Sequence, residues 1–450
     1  MAHRARASVR STHVSPGPRL LFVTGLLAVV ALSAAGSVVA ACGSDGAASP
    51  GVDAGDESHV PSSVVVGDEG GASSDAASAA DSAAAPDAAD AGAAALCPAG
   101  YALVADHRSC GADAAAAPPS VTDAAAIPGD VVSLGGIDEG NLPCAPVVVC
   151  RPPNAATMLF SDDPESPATD GVLYADSVGV GRFRIYVYHA NGGAALRKFP
   201  VVVLNQNATA AHVTIKKKGV APPSTDYVGV GKAVAAAWLD SDLTTTVTVP
   251  PGTRVLLDAD QDSLHAKKDE LVHAIFDVQT DAAVKLSIVS VLAGADAVAA
   301  TAGLLLLPDD AAHDRGTFPG ADLALVIADA PQGARHLRLG DNVTEADLSG
   351  IDRTTGKAKT LGGNYGVFYT VSVSTPSGFS ALLSPRGGEW GGVARVLPMS
   401  PAVLMPSAQT SLGATTSAIW LGTFGAGASS FSLVSAGGSN LPLDVVLLGK

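Results

Sequence analysis

Asp258-Ala259-Asp260-Gln261-Asp262 sets three carboxylates at alternate positions, and Asp269 follows at the twelfth place of the same run. Oxygen ligands so spaced suit a hard cation, and Ca²⁺ is the one cofactor the pattern admits. Ser263 stands at the sixth place, where a helix-loop-helix calcium loop needs Gly, so the competing reading is a solvated acidic loop between strands. A second cluster, Asp309, Asp310, His313 and Asp314, precedes Arg315. It offers an acid–base pair or metal ligands, against a charged turn at a domain linker. In a third place, Ser384-Pro385-Arg386-Gly387-Gly388-Glu389-Trp390, a turn carries Arg386 and Trp390. Stacking by the indole and hydrogen bonding by the guanidinium would bind a glycan; the alternative is a loop whose Trp packs back onto its sheet. No G-x-S-x-G, H-E-x-x-H, P-loop or dinucleotide-binding glycine pattern occurs. The expectation is a protein that is not an enzyme.

The cysteines point to a compartment. Arg4, Arg6, Arg10 and Arg19 form a basic start with no acidic residue, and an apolar stretch runs from Leu20 to Ala41. Its end, Val39-Ala40-Ala41-Cys42, resembles the lipobox of bacterial lipoproteins. Small residues flank a cut made before a cysteine whose thiol carries lipid, so residues 1–41 read as a signal peptide and Cys42 as the lipidation site. A stretch of this length also suits an uncleaved membrane span, and a plain signal peptide cut at small residues is the other alternative. The remaining four, Cys97, Cys110, Cys144 and Cys150, are even in number and suit two disulfides in an oxidising compartment. Three connectivities exist, and pairing neighbours, 97 with 110 and 144 with 150, closes the shortest loops. No C-x-x-C spacing argues for zinc. The expected location is extracytoplasmic, lipid-anchored to the cell or outer membrane.

Charge narrows the partners. The chain has 27 basic and 43 acidic residues, and losing residues 1–41 removes four arginines, leaving a net of −20. Such a charge disfavours nucleic acid and anionic lipid surfaces. The partners expected are the membrane through the N-terminal lipid, and a glycan or an envelope protein. Residues 42–96 are Ala, Ser, Gly and Asp with ten acids and no Lys or Arg, a composition that cannot bury a core. They read as a disordered tether of roughly 40 Å r.m.s. reach.

The elements that must position these residues are strands. Residues 97–150 read as a small cysteine-bearing collar with a strand candidate at Val147–Val149. From Arg151 onward, apolar and polar residues alternate in short runs broken by Gly, Pro, Asn and Asp, the all-β signature. Phe183–Tyr188, Ala211–Lys216, Thr246–Val249, Arg254–Leu257 and Lys285–Val289 are clear strands, and Asn191-Gly192 signals a hairpin. No long amphipathic helix is expected. Two portions share an order of aromatic strand, turn, aliphatic strand, Gly-rich loop and Trp-Leu pair, aligning Phe183 with Phe368 and Trp238 with Trp420. That order implies two tandem β-sandwich domains, 151–295 and 296–450, with each Trp buried in its own core.

LFSDDPESPATDGVLYADSV, PSTDYVGVGKAV, HDRGTFPGAD, GGNYGVFY and SPRGGEWGG resemble segments of an uncharacterised family of exported bacterial β-domain proteins. Some members carry copper-amine-oxidase-type N-terminal stalk modules. The resemblance covers most of 155–450 and implies an envelope-associated β protein, with no residue role to transfer. It draws attention to Tyr365, since copper amine oxidases build a quinone from the tyrosine of T-x-x-N-Y. Here Leu361 stands in place of the Thr and no H-x-H pair is present, so Tyr365 reads as a packing aromatic. The sequence thus points to a non-catalytic envelope lipoprotein for adhesion or scaffolding. A carbohydrate- or wall-binding module and a hydrolase on a β scaffold are the alternatives.

Overall fold

The computed structural model describes residues 92–107, 125–137, 141–328, 333–396, 400–413 and 416–450. The signal peptide, Cys42, nearly all of the tether and Cys110 lie outside them. Among the described residues no helix is long and apolar enough to cross a membrane.

The fold is all-β, as the alternating pattern predicts. An eight-stranded sheet runs Thr245–Val249, Ala211–Val220, Leu271–Thr280, Gly181–Ala190, Thr157–Ser161, Arg315–Pro319, Leu348–Asp352 and Lys357–Leu361. One face packs on a smaller sheet of Arg254–Leu256, Val201–Leu204, Val284–Leu292 and Gly171–Val178, with Arg197–Lys198 alongside. Leu159, Tyr174, Ile185, Val187, Phe199, Phe276 and Ile288 fill the space between them. A second sandwich pairs a seven-stranded sheet with a five-stranded one. The former runs Ala102–Asp106, Val148–Arg151, Asp322–Ile327, Phe368–Thr375, Gly427–Ser435, Gly392–Arg395 and Val403–Met405. The latter runs Ala334–Leu339, Leu443–Gly449, Phe379–Pro385, Ser417–Phe424 and Val131–Ser133.

Two sandwiches are present, but the chain does not divide between them at residue 295. Arg315–Pro319, Leu348–Asp352 and Lys357–Leu361 complete the eight-stranded sheet of the first sandwich, although they lie in the second half of the chain. The 97–150 segment is no separate collar either, because its strands take edge and near-edge places in both sheets of the second sandwich. Antiparallel pairing sets Cys150 opposite Leu103 and brings the start of this segment alongside. The disulfide is accordingly Cys97–Cys150, with 5.7 Å between Cα atoms, and Cys144 is a free thiol. Neighbour pairing fails because strand register, not loop length, sets which sulfurs meet. Closing a separation of 53 residues stabilises the fold by about 4 kcal/mol in the chain-entropy account.

Turn residues mark bends but not their destinations. After Asn191-Gly192 the chain leaves the eight-stranded sheet for the facing one, so the expected hairpin is an arch between layers. The supposed Gly-rich loop at Tyr227 is a 14-residue helix, Tyr227–Asp240, capped by the Asp226 side chain on Gly229 N. Glycine inside a helix costs about 1 kcal/mol against alanine, and close approach explains why it is kept. A Cβ at Gly231 would collide with the Gly437 carbonyl oxygen. Trp238 is therefore helical, while Trp420 sits half-buried on the strand Ser417–Phe424. The two do not occupy equivalent places, and the internal repeat is withdrawn.

The eight-stranded sheet is covered on both faces. Along Gly181–Ala190, Ile185 and Val187 point into the first sandwich. Tyr186 and Tyr188 instead join the cluster that holds Trp238, Phe318, Val371, Phe379, Val445 and Leu447. Period-two alternation puts Arg184, Tyr186 and Tyr188 on that second face, where the two sandwiches meet.

Candidate functional site

At this junction a cleft of about 230 Å³ opens to solvent. One wall is the second face of the eight-stranded sheet, bearing Phe160, Tyr186 and Tyr188; opposite stand Tyr365 and the turn Gly437–Asn440. Phe160 and Tyr186 stack with centroids 4.7 Å apart, and Tyr227 meets Tyr188 edge-on at 6.3 Å. Tyr365 donates its hydroxyl to the Ser439 carbonyl at 2.6 Å, fixing its ring to the turn on the same wall. The glycines of the turn are required, since a Cβ on Gly437 would lie 2.6 Å from the Tyr188 ring. Gly438, with φ +81°, is in the left-handed region.

Asp162, Glu165 and His313 supply the polar lining. Asp162 and Glu165 follow the strand Thr157–Ser161, on a turn with a cis Asp163–Pro164 bond. His313 Nδ1 lies 2.8 Å from Asp310 Oδ2, and its Nε2 lies 3.3 Å from Glu165 Oε2. Asp310 also accepts the backbone N–H groups of Glu165, Ala312 and His313. Burial opposes ionisation of Asp310, but these hydrogen bonds win and its carboxyl falls to about 2. Asp162 is the reverse case. Burial, then the charges of Glu165, Asp310 and Asp314, hold its carboxyl well above the usual carboxylate range. Its Oδ1 is shut off from solvent and accepts no hydrogen bond from the described residues. Burial first, and then neighbouring charges that include Asp162, also push the Tyr186 and Tyr188 hydroxyls up. No Lys or Arg lines the cleft.

The Asp309–Asp314 cluster thus contributes His313 to the cleft lining, its ring held by Asp310. The other sites read from sequence are elsewhere. Asp258 caps Gln261 N and, with Asp260, holds the Lys218 ammonium at 2.8 and 2.6 Å. Asp262 meets Lys198 at 2.9 Å, and Asp269 meets Lys268 at 3.2 Å. These four carboxylates are not brought together as a calcium cage, and no group of three metal-ligating side chains converges among the described residues. Trp390 is fully buried, with its indole N–H donating to Ser435 Oγ and its backbone paired with Leu412. It has no face free for a sugar, because burying so large an apolar surface outweighs exposing it. Arg386 lies 3.6 Å from the buried Asp444 carboxylate and does not line the cleft.

Sequence reasoning missed Asp162, Glu165, Tyr186 and Tyr188. Their signals were present: acids directly after a strand in Phe160-Ser161-Asp162-Asp163-Pro164-Glu165, and tyrosines at alternate places in a strand with no exposed face.

No family model and no curated protein matches the chain. Among solved structures, that of cucumber necrosis virus is 10% identical, with 76% of this chain and 95% of that chain covered and a TM-score of 0.11. Lac15 from a marine microbial metagenome is 12% identical over 68% and 69%, with a TM-score of 0.12. Vicilin from hazelnut, Corylus avellana, is 7% identical over 64% and 86%, with a TM-score of 0.09. Likeness at this level carries no argument about what this chain does.

Proposed function

We propose that the protein is a non-catalytic lipoprotein of the cell envelope, anchored through lipid on Cys42, that presents its two sandwiches for adhesion or scaffolding and takes its ligand in the junction cleft. Val39-Ala40-Ala41-Cys42 and the acidic tether support the anchoring. The observation that carries the binding role is the unpartnered Asp162 carboxyl oxygen in a cleft walled by both sandwiches. Rigid walls with a few convergent polar groups are the usual form of a ligand site. The test has two arms on the full chain. Cys42→Ala should move the protein from the detergent phase to the aqueous phase. Capture on envelope fractions should fall with Glu165→Gln; equal capture by wild type and variant removes the cleft from the function.

A hydrolase on a β scaffold is the second reading, favoured by one observation. Burial pushes the Asp162 carboxyl up while Glu165 and His313 stand in the same cleft, which sets a weak acid beside candidate bases. Turnover of aryl glycosides or esters by wild type, abolished in Asp162→Asn, would establish it. Binding without turnover leaves the first reading.

A further inference from the structure

We infer that the junction cleft binds an organic cation, a small ammonium group seated beside Asp162 among the Tyr186, Tyr188 and Tyr365 side chains. The inference rests on the cleft being the ligand site and names the chemistry of its ligand. An acidic cluster alone would not carry it. The independent observation is the Asp162 Oδ1, buried in the cleft wall with no donor among the described residues. A buried carboxylate oxygen without a donor is left desolvated and unpaired, and a ligand N–H⁺ removes that cost. Every other titratable group facing the space is acidic, phenolic or the His313 ring that Asp310 and Glu165 already engage.

Three properties favour an ammonium over other ligands. With no Lys or Arg in the lining, an anionic ligand would meet only like charge. A bare metal ion needs several convergent ligands, which are absent among the described residues. A neutral sugar could donate a hydroxyl to Asp162, but it leaves the negative potential of Asp162, Glu165 and Asp310 uncompensated. Aromatic walls add attraction for a cation and exclude water, which strengthens the ion pair. The volume of about 230 Å³ suits a head group of a few heavy atoms.

Ethylammonium and tetramethylammonium chloride are the probes, titrated calorimetrically into the full chain at low ionic strength, with glucose as a neutral probe. Wild type should bind at least one ammonium probe, and Asp162→Asn should weaken it about 10- to 100-fold. Glu165→Gln, whose carboxylate already meets His313, should weaken it less, and Asp281→Asn, on the exposed surface beside His212, should not change it. Should Asp162→Asn fail to fold, the Glu165→Gln and Asp281→Asn contrast decides. Binding of glucose without either ammonium overturns the cation and leaves the cleft a ligand site. No binding of any probe, together with unchanged envelope capture by Glu165→Gln, removes the cleft itself. Equal ammonium binding by wild type and Asp162→Asn also overturns the inference.

Discussion

Two places on one strand face treat charge in opposite ways. At Arg184 the junction between the sandwiches is closed and balanced. Its guanidinium meets Asp277 at 2.9 Å and Asp322 at 2.7 Å, and donates to the Ala321 and Gly366 carbonyls. Arg182 takes the other oxygens of the same two carboxylates, and the Trp238 indole N–H donates to Asp277. Two residues along, Tyr186 opens the cleft where Asp162 has no such partner. The balanced place joins elements of both sandwiches; the unbalanced one leaves an acid unmatched. Saturation marks structure, and a deficit marks a place for something the chain does not supply.

Breaking the balanced place should have the largest effect. Arg184→Ala leaves Asp277 and Asp322 buried beside a half-exposed Arg182, and should cost about 3–5 kcal/mol. Because Arg184 spans the two sandwiches, chemical denaturation should show both weakened together. A loss confined to one of two separated transitions would show that the latch does not couple them. Trp238→Ala should cost a similar amount, about 3–5 kcal/mol, and be non-additive with Arg184→Ala. The guanidinium carbon lies 4.5 Å from the indole centroid, so the two changes share one interaction. Trp420→Ala, at a half-buried strand position in a smaller cluster, should cost about 1–2 kcal/mol. Equal losses at the two tryptophans would revive the internal repeat.

Acid should test the histidines packed beside the cleft residues. Burial lowers His189 to about 3 and His273 to about 4, although each has a hydrogen bond to a backbone carbonyl. A group with a depressed folded value binds its proton more readily when unfolded. Its stabilisation is full above the ordinary value of 6.5 and is lost as pH falls toward the folded value. Each should remove about 1.4 kcal/mol per pH unit through that window. His273→Phe should flatten the acid limb of a melting-temperature profile between pH 6.5 and about 4, and an unchanged limb would rule out His273 as a cause.

Much of the fold was legible. Strands such as Phe183–Tyr188 and Lys285–Val289 follow from alternation and β-branched content, and they set the all-β class. Sheet membership was not legible, because Asn-Gly and Pro-Gly bends serve hairpins and interlayer arches alike. The helix was hidden by Gly229 and Gly231, the second of which is kept for its contact with Gly437, far along the chain. For the site, the carboxylate runs were easy to see and misleading. Asp258, Asp260 and Asp262 looked like ligands but are met by Lys218 and Lys198, which no spacing rule connects to them. Asp162 sat in an ordinary-looking turn, and its missing partner is a property of three dimensions.

The smallest effect tests the contrast most directly. Asp162→Asn keeps the shape of the side chain and removes a charge that the cleft does not neutralise. The folded value of this carboxyl is raised above the ordinary 3.8, chiefly by burial and then by Glu165 and its acidic neighbours. A raised value means that its stabilisation is present below 3.8 and is lost as pH rises through the folded value. Asn carries no such loss, so the variant should match the wild type in acid and exceed it at neutral pH by about 1 kcal/mol. The gap should open above pH 3.8, widen, and then level. At the balanced place the same chemistry should reverse sign, because Asp277→Asn removes a carboxylate that Arg184 and Arg182 hold below its usual range. Denaturant midpoints from about pH 3.5 to 8 for both variants give the comparison. If Asp162→Asn destabilises at neutral pH as Asp277→Asn does, Asp162 is a structural partner and the cleft is not short of charge.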